Sequence, residues 1–161
     1  MKLLLIIFVC FLSLPAVVGS AAGASSAAPH AVVQEEEERP AFWWVPPGGF
    51  PDRFPFGQCT WWAAYNRRVT WNGHAGDWLV NARAQGVPTS SSPSVGAIVV
   101  YRRGGDYSSY GHVAIVIEVA ASSYTVSEMN AVGWGRVSTR TIRWPDAQVQ
   151  EFIPLPPAER P

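Results

Sequence analysis

Beyond the first two dozen residues the chain contains one cysteine, Cys59, in the run Phe56-Gly57-Gln58-Cys59-Thr60-Trp61-Trp62. The other cysteine, Cys10, sits in an apolar leader, so Cys59 has no partner for a structural disulfide in the mature chain. A lone thiol at a helix start can act as a nucleophile. The helix N-terminus and a nearby imidazole both favour the thiolate, which is the reactive form. Three histidines could supply that imidazole: His30, His74 and His112. His30 lies in a stretch with no folding signal. His74 sits in a Gly73-His74-Ala75 turn, where a capping or exposed histidine is the ordinary reading. His112 opens a strongly apolar run after a glycine-containing loop, a place where a general base is held firmly yet stays accessible.

A base of this kind needs a group that orients its ring. If the hairpin turn that follows spans residues 120–123, His112 lies near Asn130 on the returning strand. The register that puts these two on one face also puts Glu128 there, one diagonal step away and within reach of a long side chain. Glu128 and Asn130 are both candidates for holding His112. Glu118 is poorly placed, about six residues further along the strand of His112 itself. A buried cysteine on an apolar helix face is often only core filling. A lone exported thiol, a helix start and a hairpin offering His, Glu and Asn together favour catalysis. His112 and Glu128 with one distant cysteine lack the close-spaced ligand pairs of zinc sites, so neither metal nor cofactor is expected.

These residues must be positioned by a small set of elements. Residues 59–67 have good helix formers in Ala63 and Ala64 and are expected to form a first helix. A second is expected from Ala75 or Gly76 to Ala84, with Trp78, Leu79 and Ala82 at helical spacing and Gly86 as the stop. After Pro88 and Pro93 the character changes to strands: residues 97–101, 112–119 and 124–130, then weaker ones at 139–143 and 149–153. The second of these is apolar on both faces at its middle, which marks a central strand. Helices first and strands afterwards predict an α+β fold with the helices packed on an antiparallel sheet.

The ends read differently. Lys2, an apolar run from Leu3 to Val18 and small residues to Ala24 make a secretory signal peptide, expected to occupy residues 1–24. Broken by Ser13 and Pro15, the run is short for a membrane span of about 20 residues, although an uncleaved anchor is the rival reading. Residues 25–41, with Glu35-Glu36-Glu37-Glu38, lack the aromatic and periodic apolar content to fold and read as an acidic linker. Residues 42–157 suit one domain that carries all eight tryptophans, opening on an aromatic, proline-rich strap with Trp43 and Trp44. The 12 basic and 12 acidic residues balance, which argues against nucleic acid as the main partner.

Gly57-Gln58-Cys59-Thr60-Trp61-Trp62, Trp71-x-Gly73-x-Ala75-x-x-Trp78, Pro93-x-x-Gly96-Ala97-Ile98-Val99, Gly111-His112-Val113-Ala114-x-Val116 and Glu128-x-Asn130 run in the order of a CHAP domain. The chain resembles these cysteine- and histidine-dependent amidohydrolases/peptidases from about Phe54 to Ile153. The resemblance implies a papain-like α+β fold, Cys59 as nucleophile and His112 as general base and acid. It also implies Glu128 as the group orienting His112, with Asn130 as a supporting or alternative third member. Gln58 or the backbone N–H of Cys59 would stabilise the oxyanion. The implied substrate is peptidoglycan, cut as an N-acetylmuramoyl-L-alanine amidase or as a peptide endopeptidase, without stable membrane insertion once the signal is removed. The location implied is outside the cell or in its envelope. With no SH3-like or lysin-motif module in sight, local remodelling or work as a subunit of a larger wall or secretion apparatus is expected over potent lysis. The alternatives are a non-catalytic secreted CHAP-like module that binds wall or a partner, and a cysteine amidase acting on small γ-glutamyl or polyamine amides, which export disfavours.

Overall fold

The computed structural model describes residues 45–157. The expected signal peptide, the acidic linker, His30 and the Trp43-Trp44 pair lie outside these residues. The part of the strap that is described makes a tight turn, with the Gly49 N–H donating to the Pro46 carbonyl at 2.8 Å. Phe50 then packs into the interior, and its N–H donates to the Tyr65 carbonyl at 3.0 Å.

The first helix, α1, spans Cys59–Asn66. Its inward side chains Ala63 and Ala64 are small enough to let the helix lie close on the sheet, in one core with Val100, Val113 and Ile115. At Arg67 the backbone turns extended, with φ −139° and ψ 141°. The Arg67 guanidinium is buried and donates to the carbonyls of Gly96 and Pro154, which binds the helix end to the edges of two strands. A 3-10 turn, Ala75–Asp77, leads into α2, Trp78–Ala84. The predicted inward set Trp78, Leu79 and Ala82 is buried. Trp78 is fully enclosed, and burial of a side chain this large contributes on the order of 3 kcal/mol.

Five strands follow: β1 Ile98–Tyr101, β2 His112–Ala120, β3 Ser123–Met129, β4 Val137–Arg143 and β5 Val149–Ile153. They form one sheet in the order β4-β3-β2-β1-β5, with every pairing antiparallel. β2 is the central strand, as its doubly apolar middle predicts. One face of the sheet carries Ile98, Val100, Val113 and Ile115 against the helices, and the other carries Val99, Tyr101, Val116, Tyr124 and Phe152. This is the α+β architecture expected from the order of elements. Two details differ from expectation. The hairpin is tighter, since Ala120 pairs with Ser123 and only residues 121 and 122 turn. Asn130, expected to end β3, lies just past it with φ 66°, a left-handed conformation that takes it out of the strand.

Candidate active site

β2 begins at His112 because of the residue before it. Gly111 has φ 77°, and a Cβ there would stand 2.7 Å from the Gly76 backbone. Only glycine lets the two segments meet so closely. The Gly76 N–H donates to the Tyr110 carbonyl at 2.8 Å, so the start of the second helical segment and the start of β2 are locked together. The loop over residues 104–111 then folds back and lays Tyr107 on the His112 ring, centroids 5.2 Å apart and planes within 7°.

The pairing of β2 with β3 decides which side chains share a face. From the turn it runs Ala120↔Ser123, Val119↔Tyr124 and Glu118↔Thr125, then shifts to Val116↔Val126 and Ile115↔Ser127. Ile117 is the extra residue of a β-bulge. Continued onward, the shifted register sets His112 level with Asn130, which turns Glu128 to the side of His112. Without the bulge His112 would stand level with Ala131, and Glu128 would face the other side.

The result is a continuous chain of polar contacts. His112 Nε2 donates to Glu128 Oε2 at 2.8 Å. Arg140, on β4, donates from Nε to Glu128 Oε1 at 2.9 Å and from Nη2 to Glu128 Oε2 at 3.1 Å. The same Nη2 donates to the Tyr107 hydroxyl at 2.9 Å, and the guanidinium carbon stands 5.6 Å from the centre of the Tyr107 ring. Glu128 is 1% exposed. Burial pushes its carboxyl up, but hydrogen bonds from His112 and Arg140 prevail and hold it below the usual carboxylate range. It is therefore charged and doubly committed.

With Nε2 engaged by Glu128, the Nδ1 side of His112 is left for Cys59, which lines the same cavity. Burial alone would raise the Cys59 thiol. The influence of His112, with a smaller one from the Val113 and Thr60 backbone, brings it below its ordinary value. Burial opposes the imidazolium of His112, yet its hydrogen bonds to Cys59 and Glu128 push it up to about 9. Thiolate and imidazolium thus favour each other. Such a pair can attack an electrophilic carbon and then hand a proton to the group that leaves.

Of the two candidates for holding His112, Glu128 makes the contact. Asn130 instead donates from Nδ2 to Gln58 Oε1 at 3.1 Å. Gln58 is then left with its own amide N–H groups beside the start of α1, and it lines the same cavity as Cys59, His112, Glu128 and Asn130. That cavity has a volume of about 760 Å³ and also takes in Arg140. His74 does not meet the thiol. Its ring packs 4.5 Å from that of Tyr110 at the cavity rim.

Arg140 and Tyr107 are the residues that sequence reasoning overlooks. A signal for Arg140 exists in principle. A carboxylate buried beside an imidazole needs a cation, and the β3–β4 register Val126↔Arg140, Glu128↔Ser138 puts Arg140 on the Glu128 face, one diagonal step away. That register is not legible before the strand ends are known. Tyr107 comes from an irregular loop and has no sequence signal.

A family model for the CHAP domain matches residues 49–130, a segment that ends before β4 and so does not include Arg140. A Staphylococcus aureus (strain NCTC 8325 / PS 47) protein named as N-acetylmuramoyl-L-alanine amidase domain-containing is 36% identical over 110 residues, which cover 62% of this chain and 18% of the relative. A crystal structure of N-acetylmuramoyl-L-alanine amidase from Staphylococcus aureus aligns with a TM-score of 0.59 and 29% identity, over 70% of this chain and 34% of that one. The chain spans a third or less of the length of the curated relatives it matches. The likeness to the amidase structure matches the papain-like α+β class expected from the sequence.

Proposed function

The chain belongs to the CHAP domain family, and from that premise we propose that it is a secreted cysteine-dependent peptidoglycan hydrolase that cuts an amide bond through a thioacyl-enzyme. The observation that carries the reading is the His112–Glu128–Arg140 line, which opens together with Cys59 on one cavity. In this mechanism the Cys59 thiolate attacks the amide carbonyl. Gln58 and the backbone N–H of Cys59 donate to the oxyanion as the tetrahedral intermediate forms. The imidazolium of His112 protonates the departing amine as the C–N bond breaks, leaving the acyl group on sulfur. His112, now neutral, takes a proton from water, which attacks the thioester and restores the thiolate–imidazolium pair. Glu128 keeps the ring in the tautomer and orientation that both steps need.

Peptidoglycan lies outside the cytoplasmic membrane, so export by the leader at residues 1–24 belongs to the same proposal. Among the described residues no helix is long and apolar enough to cross a membrane. Incubating the protein with purified peptidoglycan tests the reading, and new amino groups should appear. Mass analysis of the fragments separates an amidase, which frees whole stem peptides, from an endopeptidase, which cuts within them. Absence of release across several wall types would leave the non-catalytic wall-binding module as the better account.

Arg140 enters the mechanism as a positioning residue for Glu128. Its loss would leave a buried carboxylate with His112 as its remaining strong partner, and burial would raise that carboxyl. A group whose pKa is depressed in the fold keeps its charge until pH falls through that depressed value. For Arg140→Ala the charge is lost at a higher pH, so the acid limb of kcat/KM moves upward. We expect a loss of roughly tenfold to a hundredfold near neutral pH, by analogy with other outer-shell supports. Arg140→Lys, which keeps the charge but not the two-pronged contact, should recover part of it. A uniform drop with an unmoved pH profile would show that Arg140 only stabilises the fold.

A further inference from the structure

One rim of the cavity shows an unusual surface. Phe56, Val132 and Trp134 are 56%, 61% and 66% exposed, and Val132 lines the cavity itself. Large apolar side chains gathered in one exposed place mark an interaction site more often than chance. The aromatic members are not loose. Phe56 meets Trp134 edge to face at 5.8 Å and Trp61 at 4.8 Å, and Trp61 stacks on Tyr65 at 5.0 Å. Trp134 also lies against Gly57, where a Cβ would fall 2.3 Å from its Cε2 atom. Gly57 has φ 89°, so conformation and contact both demand glycine there. The Gly135 N–H donates to the Gly57 carbonyl at 3.1 Å, and the Asn130 N–H donates to the Arg136 carbonyl at 3.1 Å.

These contacts tie the loop over residues 131–136 to the turn that presents Gln58 and Cys59. The ledge is thus fixed relative to the thiol, with one side of Trp134 against backbone and the rest facing solvent. Phe56, Trp61, Val132 and Trp134 are themselves uncharged, with the exposed Arg136 side chain beside Gly133 in the same loop, whereas the adjoining cavity is lined by Asp106, Glu128 and Arg140. A rigid aromatic surface suits a ligand that has an apolar face and polar edges. A pyranose ring has that form, with axial C–H bonds on its face and hydroxyl and acetamido groups at its rim. The polar cavity suits a peptide.

We propose that Trp134 and Phe56 form a stacking ledge for the glycan strand, placing a sugar ring beside the cavity while the attached peptide enters it. This rests on the peptidoglycan reading, in which each stem peptide is tethered to a glycan. The ledge binds peptide-free glycan by itself, which separates its test from that of hydrolysis.

The test uses the full chain with Cys59→Ala, so that nothing turns over, and follows the tryptophan indole N–H resonances by NMR. Trp134→Phe assigns the Trp134 signal by its disappearance. Adding a peptide-free β-1,4-linked tetrasaccharide of N-acetylhexosamine units should shift that signal saturably. Trp134→Ala should weaken binding at least about tenfold, as removal of a central aromatic anchor does. Phe56→Ala, which leaves the Gly57 contact of Trp134 in place, should also weaken it. The proposal is overturned if the sugar leaves the signal unmoved, if free stem peptide moves it and sugar does not, or if it moves with protein concentration alone. A wild-type chain that cuts the wall without a sugar-dependent shift loses the ledge and keeps the hydrolase. A sugar-dependent shift without cleavage keeps the ledge and removes the hydrolase.

Discussion

Replacing Cys59 with alanine is expected to abolish amine release from peptidoglycan, a fall of at least about 10⁴-fold, because the thioacyl step has no substitute nucleophile. The fold should be kept. The Cys59 side chain is small, and the His112–Glu128–Arg140 line does not depend on the sulfur. A change in unfolding free energy within roughly 1 kcal/mol is expected by thermal melting. The pH profile of the wild type follows from the same contact. The thiol is depressed, so the anion forms at a lower pH than an ordinary thiol allows. His112 is raised to about 9, so the imidazolium that protonates the leaving amine persists until pH passes that value. The rate should hold across neutral pH and fall on an alkaline limb near pH 9. Equal release by Cys59→Ala and wild type would refute the cysteine mechanism outright.

Glu128→Gln should be the next most damaging change. Glutamine has nearly the same shape but no charge. Its amide can present nitrogen to the imidazole as readily as oxygen, so the tautomer is no longer fixed. A related loss of an orienting carboxylate in a serine protease triad costs about 10⁴-fold, and an effect of about 10² to 10⁴-fold on kcat is expected here. The pH profile adds a sign. Glu128 is one of the groups that raise His112, so in its absence the histidine falls back toward its ordinary value and the alkaline limb moves to lower pH. Asn130→Ala removes only the 3.1 Å contact to Gln58 and should cost less, on the order of tenfold through the oxyanion. Its φ of 66° means that alanine there is strained, so Asn130→Gly separates loss of the amide from strain in the backbone. If Asn130→Gly proves more harmful than Glu128→Gln, the orienting role belongs to Asn130.

Much of this was legible in the chain itself. Good helix formers located the first helix and apolar spacing the second, and β-branched runs located all five strands to within about two residues. The order of those elements indicated helices on an antiparallel sheet. Counting cysteines and histidines singled out Cys59 and His112 before any coordinates, because those residue types are few and their chemistry is particular. Gly111 and Gly57 were visible as part of motifs, though the contacts that require them, with Gly76 and Trp134, were not.

The choice between Glu128 and Asn130 needed the tertiary structure. Residue patterns give alternation along a strand, but a bulge changes its parity without leaving a reliable mark in the sequence. Ile117 is such a residue: its insertion brings the Glu128 and Asn130 positions alike to the side of His112. The φ of 66° that takes Asn130 out of β3, with its amide on Gln58, leaves Glu128 to make the contact. Arg140 and Tyr107 were hidden for a related reason. Arg140 reaches the site from a strand whose register depends on the bounds of its neighbour, and Tyr107 arrives on a loop folded back by the Gly76–Gly111 contact. The sequence by itself determined the candidate nucleophile, the candidate base and the layers that carry them, since these depend on residue type and local periodicity. Only the folded chain decided which carboxylate holds the base, which cation holds that carboxylate, and where the aromatic rim stands. Those outcomes depend on long-range register and loop closure, which local pattern does not encode.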